Sequence, residues 1–282
     1  MEALNPEYCT KVNIQLRQAV SEMLDKVWPW LTFPARDDGR PQRVLHLGSR
    51  SGDITKGVLA PRFPETVQVV GADPDLDMVH YALLHRLSPG MFYTQANIAG
   101  PQVKETTLWR LQPFWQIFSF NHVKSLSSDS VPLRAVRELL APGGEAVLMI
   151  IPSSPLYKTY KWLAGLGRYC RYMEDVNDYL PSYQAPATNW LTDVAQMNFM
   201  GFELLTWVPE NHAFSVFYSL EDLKEYFTAV DPFVHRMPHD ERQDYIEDVY
   251  QWCKGLCGVT VAEDTGHYRL HFSRLTVVVR KK

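Results

Sequence analysis

The segment Arg43-Val-Leu-His-Leu-Gly-Ser-Arg-Ser-Gly-Asp-Ile-Thr-Lys-Gly-Val-Leu59 runs an apolar strand into two glycines four residues apart and then into a helical pattern. Glycine lets a backbone turn sharply and approach a ligand without a Cβ in the way, so this junction predicts a nucleotide-binding turn. Twenty-one residues beyond Gly52, a second apolar strand, Val67-Gln-Val-Val-Gly-Ala72, ends in Asp73. A carboxylate at that position accepts hydrogen bonds from a ribose diol. Together the two signals restrict the chain to folds that hold such a ligand at the carboxyl ends of parallel strands.

Strand and helix patterns alternate around that turn. Strands are expected at Val44 to Leu47, Val67 to Ala72, Met91 to Gln95, Trp115 to Phe120 and Ala146 to Ile151. Helical patterns fall at Ile54 to Leu59, Leu76 to Leu87 and Val131 to Leu140, and Ala141-Pro-Gly-Gly144 reads as a helix stop and turn. Such alternation calls for a parallel sheet covered by helices on both faces. An N-terminal helix from Gln15 to Trp30, with Val20, Met23, Leu24 and Val27 at helical spacing, is interrupted by the Pro34 to Pro41 loop. After Ile151 the alternation lapses, and Ser154 to Pro186, rich in Tyr, Trp, Leu and Met, reads as an inserted helical cap. A helix (Asn189 to Met197), a strand (Glu203 to Val208), two helices (Leu220 to Ala229 and Asp240 to Leu256) and a closing strand near Leu275 to Val279 follow. The expected fold is α/β and Rossmann-like, with a seven-stranded, mostly parallel sheet. It forms one domain over 1–282: an N-terminal helix and lid at 1–42, a cofactor-binding core at 43–151, the cap at 152–188, and C-terminal elements at 189–282.

Composition excludes several classes of partner. A net charge of -4 leaves no clustered Lys and Arg for a phosphate backbone, so no nucleic-acid partner is expected. No apolar run approaches a membrane span and the first ten residues lack a signal-peptide core, which predicts a cytoplasmic protein with no membrane association. The four cysteines, Cys9, Cys170, Cys253 and Cys257, suggest reduced thiols. Cys253 and Cys257 followed by His267 and His271 imitate a zinc pattern. The histidines lie on an expected strand, however, where residues four apart are separated by about 13 Å, so no metal site is expected.

The order of turn, strand, helix, Pro-Gly-Gly, strand and C-terminal hairpin resembles a class I S-adenosylmethionine-dependent methyltransferase. Within that superfamily the chain is most similar to arthropod juvenile hormone acid methyltransferases. The resembling segments are Gln15-Leu-Arg-Gln-Ala19, Val44 to Asp53, Gly71-Ala-Asp-Pro-Asp-Leu-Asp-Met-Val79, Ile117-Phe-Ser-Phe120, the cap from Tyr157 to Tyr183, Asp231-Pro-Phe233 and Asp244-Tyr-Ile-Glu247. The resemblance implies transfer of a methyl group from S-adenosyl-L-methionine to the carboxylate of a farnesane-type acid. It implies cofactor contacts from His46, Gly48, Ser49, Gly52, Asp73, Pro74, Asn97 and Ile98, substrate contacts from Phe120, Asn121, Lys124 and Ser125, and orientation of the acid by Gln15. A carboxylate is already a nucleophile at pH 7, so alignment and exclusion of water supply most of the rate and no catalytic triad is needed. A long apolar acid needs an apolar tunnel, for which Leu156 to Tyr183 and Phe214 to Phe233 are candidates, plain core packing being the other use of such residues.

Five positions depart from the family pattern. His46 stands where relatives carry an acid that offsets the methionyl amine, and Arg50 stands where they carry a third glycine. Asn97 replaces an acid but keeps a carbonyl able to accept from an adenine amine. Lys124-Ser125 replaces a His-Trp pair, and Lys124 could pair with the substrate carboxylate in its stead. Two readings stay open: an O-methyltransferase for a small hydrophobic carboxylic acid, or a catalytically impaired relative that binds a hydrophobic ligand or a protein partner. A nicotinamide oxidoreductase is disfavoured, because Arg50 sits within the glycine spacing that a pyrophosphate turn requires.

Overall fold

The computed structural model describes residues 6–33, 42–123, 126, 130–181, 195, 197–198 and 200–282. The Pro34 to Pro41 loop, Lys124, Ser125 and most of the expected Asn189 to Met197 helix lie outside the described residues. Eight strands are described: β1 Gln42–Leu47, β2 Val67–Asp73, β3 Met91–Gln95, β4 Phe114–Phe120, β5 Leu140–Ser153, β6 Phe202–Phe217, β7 Val259–Val261 and β8 Tyr268–Lys281. Nine helices accompany them: α1 Pro6–Val12, α2 Ile14–Val27, α3 Leu76–His85, α4 Thr107–Arg110, α5 Val131–Leu139, α6 Pro155–Leu163, α7 Val176–Tyr179, α8 Leu220–Val230 and α9 His239–Gly255. The strands form one sheet in the order β3-β2-β1-β4-β5-β8-β6, with short β7 paired antiparallel to β8. The pairs β1–β2, β1–β4, β2–β3 and β4–β5 are parallel.

Packing divides the chain into two compact units. The larger contains residues 16–150 and 275–282 together with the start of β6. Its strands are buried without alternation over Val44–Leu47, Gln116–Phe120 and 144–150, as a parallel sheet covered on both faces requires. One cover is α2, whose Val20, Met23, Leu24 and Val27 pack on Val44, Phe118, Phe120, Val147 and Met149. Each such buried side chain contributes about 1.5–3 kcal/mol. A buried carboxylate ties the far ends of this unit together. Glu145 accepts from the Thr32 amide (2.7 Å) and hydroxyl (2.8 Å) and from Arg280 (2.9 Å), while Gln116 donates to the Thr32 carbonyl (2.6 Å).

Three elements differ from their sequence patterns. Ala141 to Gly144 is no free turn but a bulge inside β5, which starts at once after α5: Phe114 pairs with Leu140 and Gln116 with Glu145, leaving Pro142 and Gly143 to loop out. The Ile54 to Leu59 pattern forms a π-helical turn over Thr55–Leu59. β6 continues through Pro209 to Phe217, well past Val208, across the polar stretch Pro209 to His212, and in that second half only Phe217 is buried.

The smaller unit holds 6–15, 151–181 and 209–274. Here the aromatic and Met-rich segments considered as tunnel walls close on one another: Leu156, Tyr160, Leu163, Tyr169, Met173, Phe217, Leu223, Phe227 and Phe233 form one core cluster. Within it Asp231 is completely buried and accepts from the amides of Phe233 (2.7 Å) and Val234 (2.8 Å) and from the Tyr245 hydroxyl (3.0 Å). Burial outweighs these donors and pushes its carboxyl up to about 6.

Because the folded state holds this proton more tightly than the unfolded chain, stability falls as pH rises from the ordinary carboxyl range through 6. Asp231→Asn removes that titration. Its destabilisation, measured by urea unfolding, should therefore shrink by about 3 kcal/mol between pH 4 and pH 7. A penalty that stays constant across this range would show that the buried carboxyl titrates normally.

Candidate active site

The carboxyl ends of β1, β2 and β3 are joined by a short set of backbone bonds. Gly48 and Ser49 both donate to the Ala72 carbonyl (2.8 and 3.1 Å), and Ala96 donates to the Asp73 carbonyl (2.9 Å). Asp73 is buried and its two carboxylate oxygens accept separately, Oδ2 from the Arg50 amide (2.8 Å) and Oδ1 from the Asp75 amide (3.0 Å). Burial raises its carboxyl above the usual range despite those two donors. Each oxygen keeps a second lone pair with which to accept a hydroxyl.

The turn itself is left-handed at alternate residues: Gly48 at φ 74°, Arg50 at 47° and Gly52 at 76°. Arg50 thus holds the backbone conformation that the missing glycine would adopt, and its amide is committed to Asp73. A non-glycine residue in that region costs roughly 1–2 kcal/mol, so the substitution leaves the shape of the turn in place and stores strain there. No side chain fits at 48 or 52. A Cβ at Gly48 would collide with the ring of His122, and one at Gly52 would lie 2.7 Å from the Tyr93 hydroxyl.

His46 is buried below this turn, its Nδ1 2.7 Å from the Thr55 hydroxyl and its ring 5.1 Å from that of Phe120. Burial, reinforced by nearby His122, lowers its pKa to about 3, so the imidazole is neutral. Its Nε2 and the buried Ser49 Oγ make no hydrogen bond among the described residues, which leaves two buried polar atoms to be satisfied by a ligand or water. Asn121, at φ 61°, adds a third such atom, its Oδ1.

The other expected residues are placed as follows. Pro74 is exposed and its carbonyl accepts from Gln95 (3.0 Å). Asn97 is exposed and its side-chain carbonyl caps the Ala99 amide (3.0 Å), so one of the two acceptor positions expected to meet an adenine amine is already used. Ile98 is buried beside it. Phe120 belongs to the core packed on α2 as well as to His46. Lys124 and Ser125 lie outside the described residues. In the smaller unit, the Gln15 carbonyl accepts from the Val216 amide (2.7 Å). An amide N–H can only donate, so this bond fixes the orientation of the Gln15 carboxamide and leaves its NH2 as the donor.

Four residues of this region escape a sequence reading. Arg17 on α2 pairs with buried Asp53 (3.7 Å), Tyr93 fills the space beneath the turn, and His122 covers Gly48. Only Asp53 carried a signal, its place directly after Gly52.

The chain is 26% identical over 219 residues to the juvenile hormone acid O-methyltransferase of Drosophila melanogaster, spanning 77% of this chain and 72% of that protein. It is 23% identical over 248 residues to the enzyme of the same name from Bombyx mori, spanning 85% of each. A methyltransferase from Anabaena variabilis, described as S-adenosylmethionine-dependent, superposes with a TM-score of 0.52 at 13% identity, over 98% of this chain and 93% of that one. In sequence this chain is thus similar to insect juvenile hormone acid methyltransferases. Its strand order and its structural likeness give it the class I methyltransferase fold. No family model matches the chain.

A neutral His46 has a thermodynamic consequence. Unfolded, its imidazole takes a proton near pH 6.5, whereas the folded protein refuses it down to about pH 3, so stability is lost as pH falls through that interval. His46→Gln keeps a partner for Thr55 and removes the titration. The stability gap between parent and variant should narrow by about 3 kcal/mol on going from pH 7 to pH 4.5 in urea unfolding. A gap independent of pH would mean that protons reach the imidazole in the native state.

Proposed function

We propose that this chain binds S-adenosylmethionine at the turn after β1 and methylates the carboxylate of a small hydrophobic acid of the farnesoic or juvenile hormone acid type. The observation that carries the cofactor assignment is the pair of Asp73 oxygens, each anchored by one backbone amide and each with acceptor capacity left, beside a left-handed turn with no room for side chains at 48 and 52. The residues fit the group: Asp73 accepts ribose hydroxyls, and the unpartnered His46 Nε2 and Ser49 Oγ bond its amino-acid end. Asn97 and Ile98 flank the base. The acid substrate is supported by the two insect relatives and by the soft requirements of the chemistry.

S-adenosylmethionine, when bound, supplies a methyl group activated by a sulfonium. The chain's own residues have little chemistry to perform, because a carboxylate is ionised at pH 7 and needs no general base. Their task is alignment in a dry site. Gln15, with its carboxamide fixed by Val216, orients the acid by donating an N–H to the carboxylate. Phe120 and Asn121, together with Lys124 and Ser125, complete the substrate contacts in this reading. Among the described residues no helix is long and apolar enough to cross a membrane.

Calorimetric titration with S-adenosylmethionine and S-adenosylhomocysteine tests the cofactor assignment, and transfer of a labelled methyl group to farnesoic acid tests the substrate. The parent should bind both cofactors. Asp73→Ala should weaken each by about 1.5–3 kcal/mol, because it removes charge-assisted hydrogen bonds to the ribose. The same variant should lose about 1–3 kcal/mol of stability for each backbone amide left unsatisfied. Absence of binding at millimolar ligand by the folded parent sinks the enzymatic reading, and unchanged affinity in folded Asp73→Ala moves the cofactor elsewhere.

A further inference from the structure

The smaller unit contains a cavity of about 460 Å³ lined by none of the residues assigned above to cofactor or substrate. It opens where the start of α6, the second half of β6, the loop after α9 and the strands β7 and β8 meet. Lys158 from α6, His212 from β6 and His271 from β8 line it, and no Asp or Glu does. Lys158 has no carboxylate partner among the described residues. Glu210, the acid next in sequence to this lining, is taken by Arg274. The Nε2 of His271 lies 2.8 Å from the Thr260 hydroxyl, and its Nδ1 is bonded to none of the described residues. Burial first, and then the like charges of Arg269 and His212, hold the His271 imidazole below its ordinary pKa. The charge that this cavity lacks is an anion.

We infer that this cavity binds the phosphoryl group of a small phosphomonoester, with Lys158, His212 and His271 as its counter-charges. The inference is independent of the cofactor assignment. A volume of about 460 Å³ falls within the range of small-molecule sites, roughly 300–1,000 Å³, and exceeds what inorganic phosphate alone fills, so an organic group accompanies the anion. Apolar contact comes chiefly from Pro155, Leu256 and Phe272, which suits a short organic group and not a long acyl chain. A phosphomonoester releases its second proton at a pH of about 6, so near neutrality it carries close to two charges. A single carboxylate would leave part of the cationic lining unmatched. Beside His271 a dianion also opposes the like charges of Arg269 and His212, and so favours the protonated, doubly donating imidazole. The Ser153 hydroxyl, bonded to none of the described residues, adds a neutral donor.

Two exposed thiols serve as reporters: Cys257 lines the cavity and Cys170 does not. Alkylation of the full chain by iodoacetamide, followed at each cysteine by mass spectrometry at constant ionic strength, reads occupancy of the cavity. Glycerol 3-phosphate at about four times its dissociation constant should slow the reaction of Cys257 by about fivefold, because only the unligated fraction reacts, and leave Cys170 unchanged within a factor of about two. Lys158→Gln should raise the concentration for half-protection by about tenfold and His212→Gln by about threefold. Both substitutions change exposed side chains, and near-ultraviolet circular dichroism confirms the fold of each variant. Vesicles of phosphatidylcholine with and without phosphatidic acid separate a lipid headgroup from a free metabolite as the source of the phosphoryl group. Protection by the soluble ester alone assigns a free ligand, protection only by vesicles that contain phosphatidic acid assigns a headgroup, and either supports the phosphate site. No protection by the ester or the vesicles overturns it. Protection that survives the double variant Lys158→Gln, His212→Gln overturns it too, as does equal slowing at Cys170.

Discussion

The Asp73 carboxylate holds the site together before any ligand arrives. By accepting from Arg50 and Asp75 it fastens the turn after β1 to the turn after β2, and its own carbonyl fastens the end of β3 through Ala96. Three loops that are distant in sequence are thereby set against one residue. Burial works against the charge that does this, raising the carboxyl above its usual range. Donors from a bound diol would reverse that shift, so in the proposed reading ligand binding and the stability of the turn draw on the same group.

Of the departures from the pattern of the family that this chain resembles, the two at the glycine turn are one of shape and one of charge. Arg50 preserves shape, since its backbone is left-handed at 47° and its amide reaches Asp73 as a glycine's would. His46 does not preserve charge. It is sealed between Thr55 and Phe120 as a neutral ring, and whatever it gives to a ligand is a hydrogen bond rather than a counter-ion. A turn that has kept its geometry while changing its electrostatics argues for altered affinity more than for collapse of the site.

Much of this was legible from local pattern. The strand cores of β1 to β4, the glycines at 48 and 52, and Asp73 at the end of β2 all follow from period, turn chemistry and spacing, which are properties of neighbouring residues. What escaped depends on partners far along the chain. Arg17 looks like any helical arginine until the fold brings it 3.7 Å from Asp53, and Gln15 acquires a defined orientation only from the Val216 amide, 201 residues away. The continuation of β6 past Val208 was hidden by a polar, half-buried run with a proline in it. The aromatic segments of the smaller unit illustrate the opposite problem: the same composition suits a tunnel wall and a core, and here those residues pack as a core.

Tyr93 carries a consequence for how this protein can change. Its ring occupies the space that a Cβ at Gly71 would take, 2.5 Å from the ring carbons, while its hydroxyl occupies the space above Gly52 and donates to the Gly52 carbonyl at 3.3 Å. Two glycines on different elements are thus small because of one tyrosine on a third. None of the three can drift alone: a larger residue at 71 collides with the ring, and a smaller one at 93 opens a hollow under the ligand turn. The trio forms a lock whose pieces are interchangeable only as a set, so descendants of this sequence should either retain Gly52, Gly71 and Tyr93 together or replace them together.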